Sequence, residues 1–275
     1  MHHLPPNPSG IRVLKSVESD ILKASDSNLP TLAHCVTCKG RKVFRWYAED
    51  GSGIVDYECP CREQFILYRY LQYNGLQRNQ QRFGWREVLT DAPIVEEILQ
   101  YGRDIEYNLD EGVGLYLYGS RGTGKSMLGS LLLKNALGQG YSGHFTSFIE
   151  LRDMYSGGFK DQVKKDWYQS KIRNAEILVV DDPGREYTSS EKGVDFSRTI
   201  MDDLIRHRMA ASLPTIITSN LTPDTFKQTY GENVASLITE RMKPIVVTGS
   251  DFRPAKAALD DVLRTEHLVR PIVVA

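Results

Sequence analysis

The sequence predicts an α/β fold: a phosphate-loop domain on a parallel, doubly wound sheet, preceded by a small zinc-ribbon domain. Three observations predict it. An eight-residue loop, Gly119-Ser-Arg-Gly-Thr-Gly-Lys-Ser126, separates a short apolar run from a helical one. Two further apolar runs end in polar residues, at Asp181-Asp182 and at Ser219-Asn220. All four cysteines fall in one window, Cys35 to Cys61. At 275 residues the chain has room for one large domain and one small one. Its 41% hydrophobic and 25% charged content is that of an ordinary globular protein. A net charge of −1 excludes a globally basic nucleic-acid binder, so any such surface is a local patch.

Residues 1–30 read as a flexible arm. Met1-His-His-Leu-Pro-Pro-Asn-Pro has no apolar core, which excludes a secretory signal. No apolar run approaches the length that spans a bilayer. The expectation is a cytoplasmic chain without membrane contact.

Residues 31–76 read as the ribbon module and a following helix. Cys35-Val-Thr-Cys38 and Cys59-Pro-Cys61 flank Lys42–Tyr47 and Ile54–Glu58, two strand-like runs joined by Glu-Asp-Gly-Ser-Gly. Such a hairpin brings two thiols at each end together, and four thiolates suit a closed, structural zinc site. Two disulfides, or four independent thiols, are the alternatives. Phe65, Leu67, Leu71 and Leu76 then recur at helical spacing.

Residues 77–253 read as the phosphate-loop domain. Arg78–Arg82 is a polar joint, and Ala92 to Tyr107 is one amphipathic helix. Gly114-Leu-Tyr-Leu-Tyr118 is a buried strand, and Met127 to Leu137 a helix. Between them Gly119, Ser120, Arg121, Gly122, Thr123, Gly124, Lys125, Ser126 and Met127 form an anion cradle of backbone N–H groups at a helix N-terminus. Lys125 reaches the β- and γ-phosphates in such loops, and the Ser126 hydroxyl ligates magnesium. Glu176-Ile-Leu-Val-Val-Asp181-Asp182 is a second buried strand with charge at its C-terminal end. Asp181 is placed for the magnesium shell and Asp182 to orient or deprotonate the attacking water. Pro214-Thr-Ile-Ile-Thr-Ser219-Asn220 is a third such strand, putting Asn220 beside the γ-phosphate. Pro223 to Tyr230 and Val234 to Met242 read as helices, and Pro244–Val247 as the last strand.

Lys160, Lys164 and Lys165 are the candidate single-stranded DNA contact, in a stretch where Trp167 and Tyr168 are interleaved with Lys164, Lys165, Lys171 and Arg173. A wet lysine face over core aromatics is the plainer alternative. Residues 254–275 form a C-terminal extension with no assigned role.

The order Gly119–Ser126, Leu178–Asp182, Ile217–Asn220, Glu240-Arg-Met242 resembles AAA+ ATPases. More narrowly it resembles the DnaC and DnaI helicase loaders and the IstB transposition ATPases. Gly112 to Ser126, and Lys243-Pro-Ile-Val-Val with Asp251-Phe-Arg253, carry that narrower likeness. The resemblance implies ATP hydrolysis with magnesium. It makes Asn220 sensor 1, Arg241 an arginine finger reaching a neighbour's nucleotide, and Arg253 a sensor-2-like arginine. It implies homo-oligomers on ATP binding, with a replicative DNA helicase and single-stranded DNA as partners. The alternative partners are a transposase and duplex DNA. Asp182 departs from the commoner glutamate. A GTPase-like switch fits Asp181-Asp-Pro-Gly184, but no [NT]-K-x-D motif follows to read guanine.

Overall fold

The computed structural model describes residues 43–47, 53–59, 61–158, 161–184 and 191–265. Strands β1 (Val43–Tyr47) and β2 (Ile54–Glu58) form an antiparallel hairpin, Val43 opposite Glu58 and Tyr47 opposite Ile54. Helix α1 (Cys61–Tyr73) begins two residues after the buried Cys59. Cys35 and Cys38 lie outside the described residues, as does the side chain of Cys61. Among the described residues there is no group of three or more metal-ligating side chains.

Five parallel strands form the main sheet: β3 (Gly114–Tyr118), β4 (Gly143–Ser147), β5 (Ile177–Asp181), β6 (Thr215–Ser219) and β7 (Met242–Val246). Their order is β4-β5-β6-β3-β7. The phosphate-loop strand therefore sits between β6 and the edge strand β7, the kind of order reversal at which open α/β sheets bind ligands. Side chains alternate across a strand, so each face needs its own core. Leu115, Leu117, Val179 and Ile216 enter one buried cluster; Tyr116, Leu178, Val180 and Ile217 enter the other.

The helices differ from the sequence expectation in three places. The run from Ala92 breaks at Asp104 into α3 (Ala92–Arg103) and α4 (Ile105–Asp110). Arg78–Gln81, read as a joint, is a short helix, α2, held by Gln81 donating to the Leu76 carbonyl at 2.7 Å. The helix after the ribbon packs on the sheet: Leu67, Leu71 and Leu76 share a cluster with Leu115 and Leu132. The remaining helices are α5 (Lys125–Gln139), α6 (Phe148–Gly158), α7 (Gln162–Tyr168) with a π turn at Gln169–Arg173, α8 (Glu191–Ala210), α9 (Pro223–Tyr230), α10 (Glu232–Arg241) and α11 (Arg253–Thr265). Among the described residues no helix is long and apolar enough to cross a membrane.

The outer edge of β4 is covered by the chain leaving α1. Phe145 N–H donates to the Asn74 carbonyl at 2.9 Å. Beside it His144 is buried, edge-on to Trp167 at 5.1 Å, with Nδ1 lacking a hydrogen-bond partner. Burial, then the nearby Lys171 charge, lowers its pKa from 6.5 to about 3. Between those values the unfolded chain binds a proton that the folded chain does not. Folding stability therefore falls as pH drops from 6.5 toward 3, by up to about 1.4 kcal/mol per pH unit from this group. His144→Gln is expected to flatten that acid limb in denaturation series at pH 4–6.5. Identical slopes for the two proteins would remove His144 as the cause.

Candidate functional site

The phosphate loop turns because three of its glycines adopt backbone geometry that other residues resist. Gly119, Gly122 and Gly124 have φ of 148°, 84° and 90°. At Gly119 a Cβ would lie 2.3 Å from the Val247 carbonyl oxygen, so the strand crossing beside the loop also requires glycine. The loop delivers Lys125 to the first turn of α5. Lys125 is buried, and its Nζ donates to the carbonyls of Gly119 at 3.0 Å and Ser120 at 2.6 Å. Burial lowers its pKa, while the Asp182 and Asp181 charges act the other way.

The C-terminal ends of β5 and β6 bring the acidic pair alongside. Asp181 accepts hydrogen bonds from the Thr218 and Ser126 hydroxyls. Burial raises its pKa; those hydrogen bonds and Lys125 oppose that, and Asp182 adds to it. Asp182 follows with φ of 56°, a left-handed conformation uncommon outside glycine, asparagine and aspartate. Its carboxylate accepts from Asn220 Nδ2 at 2.8 Å, and its N–H donates to the Thr218 carbonyl at 2.8 Å. Two parallel strands thus hold one carboxylate against a serine of the loop and aim the next at an amide.

These groups line one cavity of about 780 Å3, which includes Arg121, Gly122, Gly124, Lys125, Ser126, Met127, Asp181, Asp182, Asn220 and Arg253. The volume falls within the range typical of small-molecule sites. Ser126 and Asp181 offer the hard oxygen donors that suit magnesium.

Part of the wall carries no recognisable motif. Asn79, Arg82, Phe83 and Glu87 to Thr90 form one side. The fully buried Lys134 of α5 ties this stretch down through the Phe83 carbonyl, and Thr90 Oγ1 donates to the Thr123 carbonyl at 3.2 Å. Phe252, Ala255 and Lys256 line it as well, so the C-terminal extension contributes to the cavity at its very start. Only their place around the cavity reveals these residues.

Other sequence candidates stand apart. Arg241 ends α10, immediately before the N-terminal end of β7, and Met242 is in register with Gly114. It is therefore at the opposite end of the sheet from the loop that follows Tyr118. Its guanidinium meets Glu240 at 3.5 Å and the Glu111 carbonyl at 3.3 Å. Arg253, by contrast, lines the cavity and lies 3.9 Å from Asp251. Lys160 lies outside the described residues; Lys164 and Lys165 are exposed on α7. The aromatics between them do not present free faces for bases. Tyr168 is buried, and Trp167 is half-buried against His144. Lys171 is turned inward, 3.7 Å over the Tyr73 ring, where burial brings its pKa down to about 8.

The sequence model of the family described as "IstB-like ATP binding protein" matches residues 76–246, well over half the chain. The chain belongs to this family. The match takes in the phosphate loop, the acidic end of β5 and the polar end of β6. This IstB-like chain is 25% identical over 181 residues to the replicative helicase loader DnaI of Bacillus subtilis (strain 168). The alignment covers 63% of this chain and 57% of that relative, so the chain spans little more than half the length of the curated relative it matches. Among solved structures it is similar to the DnaC helicase loader, with 26% identity and a TM-score of 0.50, over 58% of this chain and 91% of that one. It also shares the fold of a DnaI crystal structure, with a TM-score of 0.52 at 23% identity, over 63% of this chain and 95% of that one.

Proposed function

We propose that this IstB-like protein is an AAA+ ATPase that loads a replicative helicase onto single-stranded DNA. The observation that carries the reading is the single cavity in which Lys125, Asp181, Asp182 and Asn220 converge. In this reading the loop N–H groups and Lys125 bind the β- and γ-phosphates. Ser126 and Asp181 would hold magnesium, which when bound offsets charge on the phosphate oxygens. Asp182, oriented by Asn220, accepts a proton from water as its oxygen attacks the γ-phosphorus and the bond to the β-phosphate breaks. The products are ADP and inorganic phosphate. Asp181 is itself half-buried and already accepts two hydroxyl donors, which suits a metal ligand better than a base.

Arg241 acts on a neighbouring copy in this reading, since its own strand separates it from its own loop. Each active site is then composite, built head to tail. Mixing two inactive variants, Lys125→Ala and Arg241→Ala, is expected to restore partial hydrolysis. A mixed interface pairs one intact loop with one intact arginine. No recovery across a wide range of ratios, with assembly verified, would make Arg241 a residue of its own chain's structure.

The N-terminal segment is the partner module. Cys35, Cys38, Cys59 and Cys61 would hold one structural zinc, and Lys160, Lys164 and Lys165 would meet the DNA backbone. The DnaI relative favours a helicase as partner; the IstB-like family favours a transposase as the second reading. Pull-down with purified helicase and purified transposase, with and without ATP, separates them, and elemental analysis of the same reduced preparation counts zinc. ATP-dependent capture of helicase, and about one zinc per chain, are the expected results. Capture of transposase alone would overturn the loader reading, and metal-free protein would remove the ribbon site.

A further inference from the structure

We propose that Lys134 is a positioning residue for nucleotide binding: from the helix that carries Lys125, it holds residues 82–90 in place as the wall that receives the nucleoside. The inference rests on the nucleotide reading above. It starts from a charge inside an apolar layer. Lys134 lies in the third turn of α5 and is fully buried, as are Leu131 and Leu137 one turn to either side. A lysine is almost never fully buried without a partner, because its ammonium loses its water. Here Nζ donates to the carbonyl of Phe83, 51 residues earlier in the chain. Phe83 sits between two turns that close on themselves. At the start of α2, Gln77 N–H donates to Gln80 Oε1 at 2.8 Å; at the 3-10 turn Trp85–Glu87, Gly84 N–H donates to Glu87 Oε2 at 2.8 Å. Those bonds shape the segment locally, and the Lys134 bond fixes its place against α5. At the far end the Thr90 hydroxyl fastens it to the phosphate loop, donating to the Thr123 carbonyl at 3.2 Å.

Between these two ties the segment faces the cavity through Arg82, Phe83, Glu87, Val88 and Leu89. In the nucleotide reading Lys125, Ser126, Asp181, Asp182 and Asn220 are taken up by the triphosphate and its metal. The base and ribose then lie against the lining that remains. Residues 82–90 supply much of it, with apolar side chains at Phe83, Val88 and Leu89 that suit an aromatic base. Helix α5 thus serves both parts of the ligand. Its first turn meets the phosphates through Lys125, and its third turn sets the opposite wall through Lys134 and Phe83. Removing the Lys134 ammonium leaves Lys125 with its own bonds to the Gly119 and Ser120 carbonyls. What it frees is the wall, so the two parts of the ligand are affected unequally.

Calorimetric titration of the full chain tests this on the unmodified protein and on Lys134→Met. The ligands are ATP with magnesium and inorganic tripolyphosphate with magnesium, the second measured by displacement of ATP where its own heat is small. Methionine keeps a straight apolar stem and supplies no donor. Melting without ligand verifies the fold of the variant. Lys134→Met is expected to weaken ATP binding about five- to twentyfold, the effect of a support lost behind a binding wall, and tripolyphosphate binding by less than about twofold. A purely structural lysine would lower both affinities alike or neither. Equal losses, or unchanged ATP affinity in the folded variant, would therefore overturn the proposal. Amide exchange on the unmodified chain adds a measure that needs no variant. ATP is expected to slow exchange at residues 82–90 more than tripolyphosphate does, and equal slowing would overturn the proposal as well. Failure of the unmodified chain to bind either ligand would instead overturn the nucleotide reading on which it rests.

Discussion

Lys125→Ala is expected to lower ATP affinity by about 100-fold or more while leaving the chain folded. The side chain would make charge-assisted hydrogen bonds to two phosphates, each worth roughly 1.5–3 kcal/mol, and 1.4 kcal/mol is a factor of ten. The loss is therefore about 3–6 kcal/mol, the lower end of which is already about a hundredfold. The folded state has less to lose. Nζ donates only to the carbonyls of Gly119 and Ser120, two groups of the loop itself. Alanine is also the best helix former at the first position of α5. Calorimetry with ATP, beside thermal melting of the same preparation, separates the two effects. Unchanged affinity in a folded variant would remove the cavity from nucleotide binding. A variant that melts far below the unmodified chain would show that the lysine holds the loop together.

Arg208→Met is expected to cost about 3–5 kcal/mol of stability, the range for leaving buried polar groups without their partner. Arg208 is fully buried near the end of α8. Its guanidinium donates to the carbonyls of Ile172 at 3.0 Å, Arg173 at 3.1 Å, Ala175 at 2.8 Å and Pro214 at 2.8 Å. Nε donates to the Thr215 hydroxyl at 2.8 Å. These carbonyls lie where the π turn ends and just before β5 and β6 begin. The cation is solvated by backbone oxygens in place of water, and burial brings its pKa down to about 9. Methionine keeps most of the volume and supplies no donor. Lys at the same position presents three donors from one point, not a planar fork, so Arg208→Lys recovers only part of the loss. For a chain of this size the methionine variant should melt about 10 °C lower. A shift below about 2 °C would mean that water takes over the carbonyls at little cost.

Much of this chain is legible because its strands announce themselves. Gly114–Tyr118 and the run ending at Asp181 are apolar on both faces, as a sheet covered on both sides demands. Pro223 to Tyr230 carries its own start signal, a threonine cap and a proline in the first turn, and the helix has those bounds. Where the reading missed, a contact from elsewhere outweighed the local signal. Ser156-Gly-Gly-Phe-Lys160 reads from its glycines as a hinge or loop, yet α6 runs on through Gly158. Without side chains, Gly157 and Gly158 let α7 approach, and a Cβ on them would lie 3.3 Å from Lys164 and 3.5 Å from Lys165. The break at Asp104 was hidden because buried Ile98, Tyr101 and Ile105 keep helical spacing across it.

The sequence by itself determined the phosphate loop, the two polar strand ends at Asp181-Asp182 and Ser219-Asn220, and the parallel sheet that joins them. Each depends on residues close together in the chain: glycines that permit the turn, apolar runs that must be buried, and carboxylates set where those runs end. Only the tertiary structure decided which chain segments wall the cavity, and that Arg208 and Lys134 are buried cations. Those outcomes depend on contacts between segments far apart in sequence. A lysine on an exposed helix and a lysine over a phosphate loop have the same local pattern, and they differ only in what the fold brings opposite them.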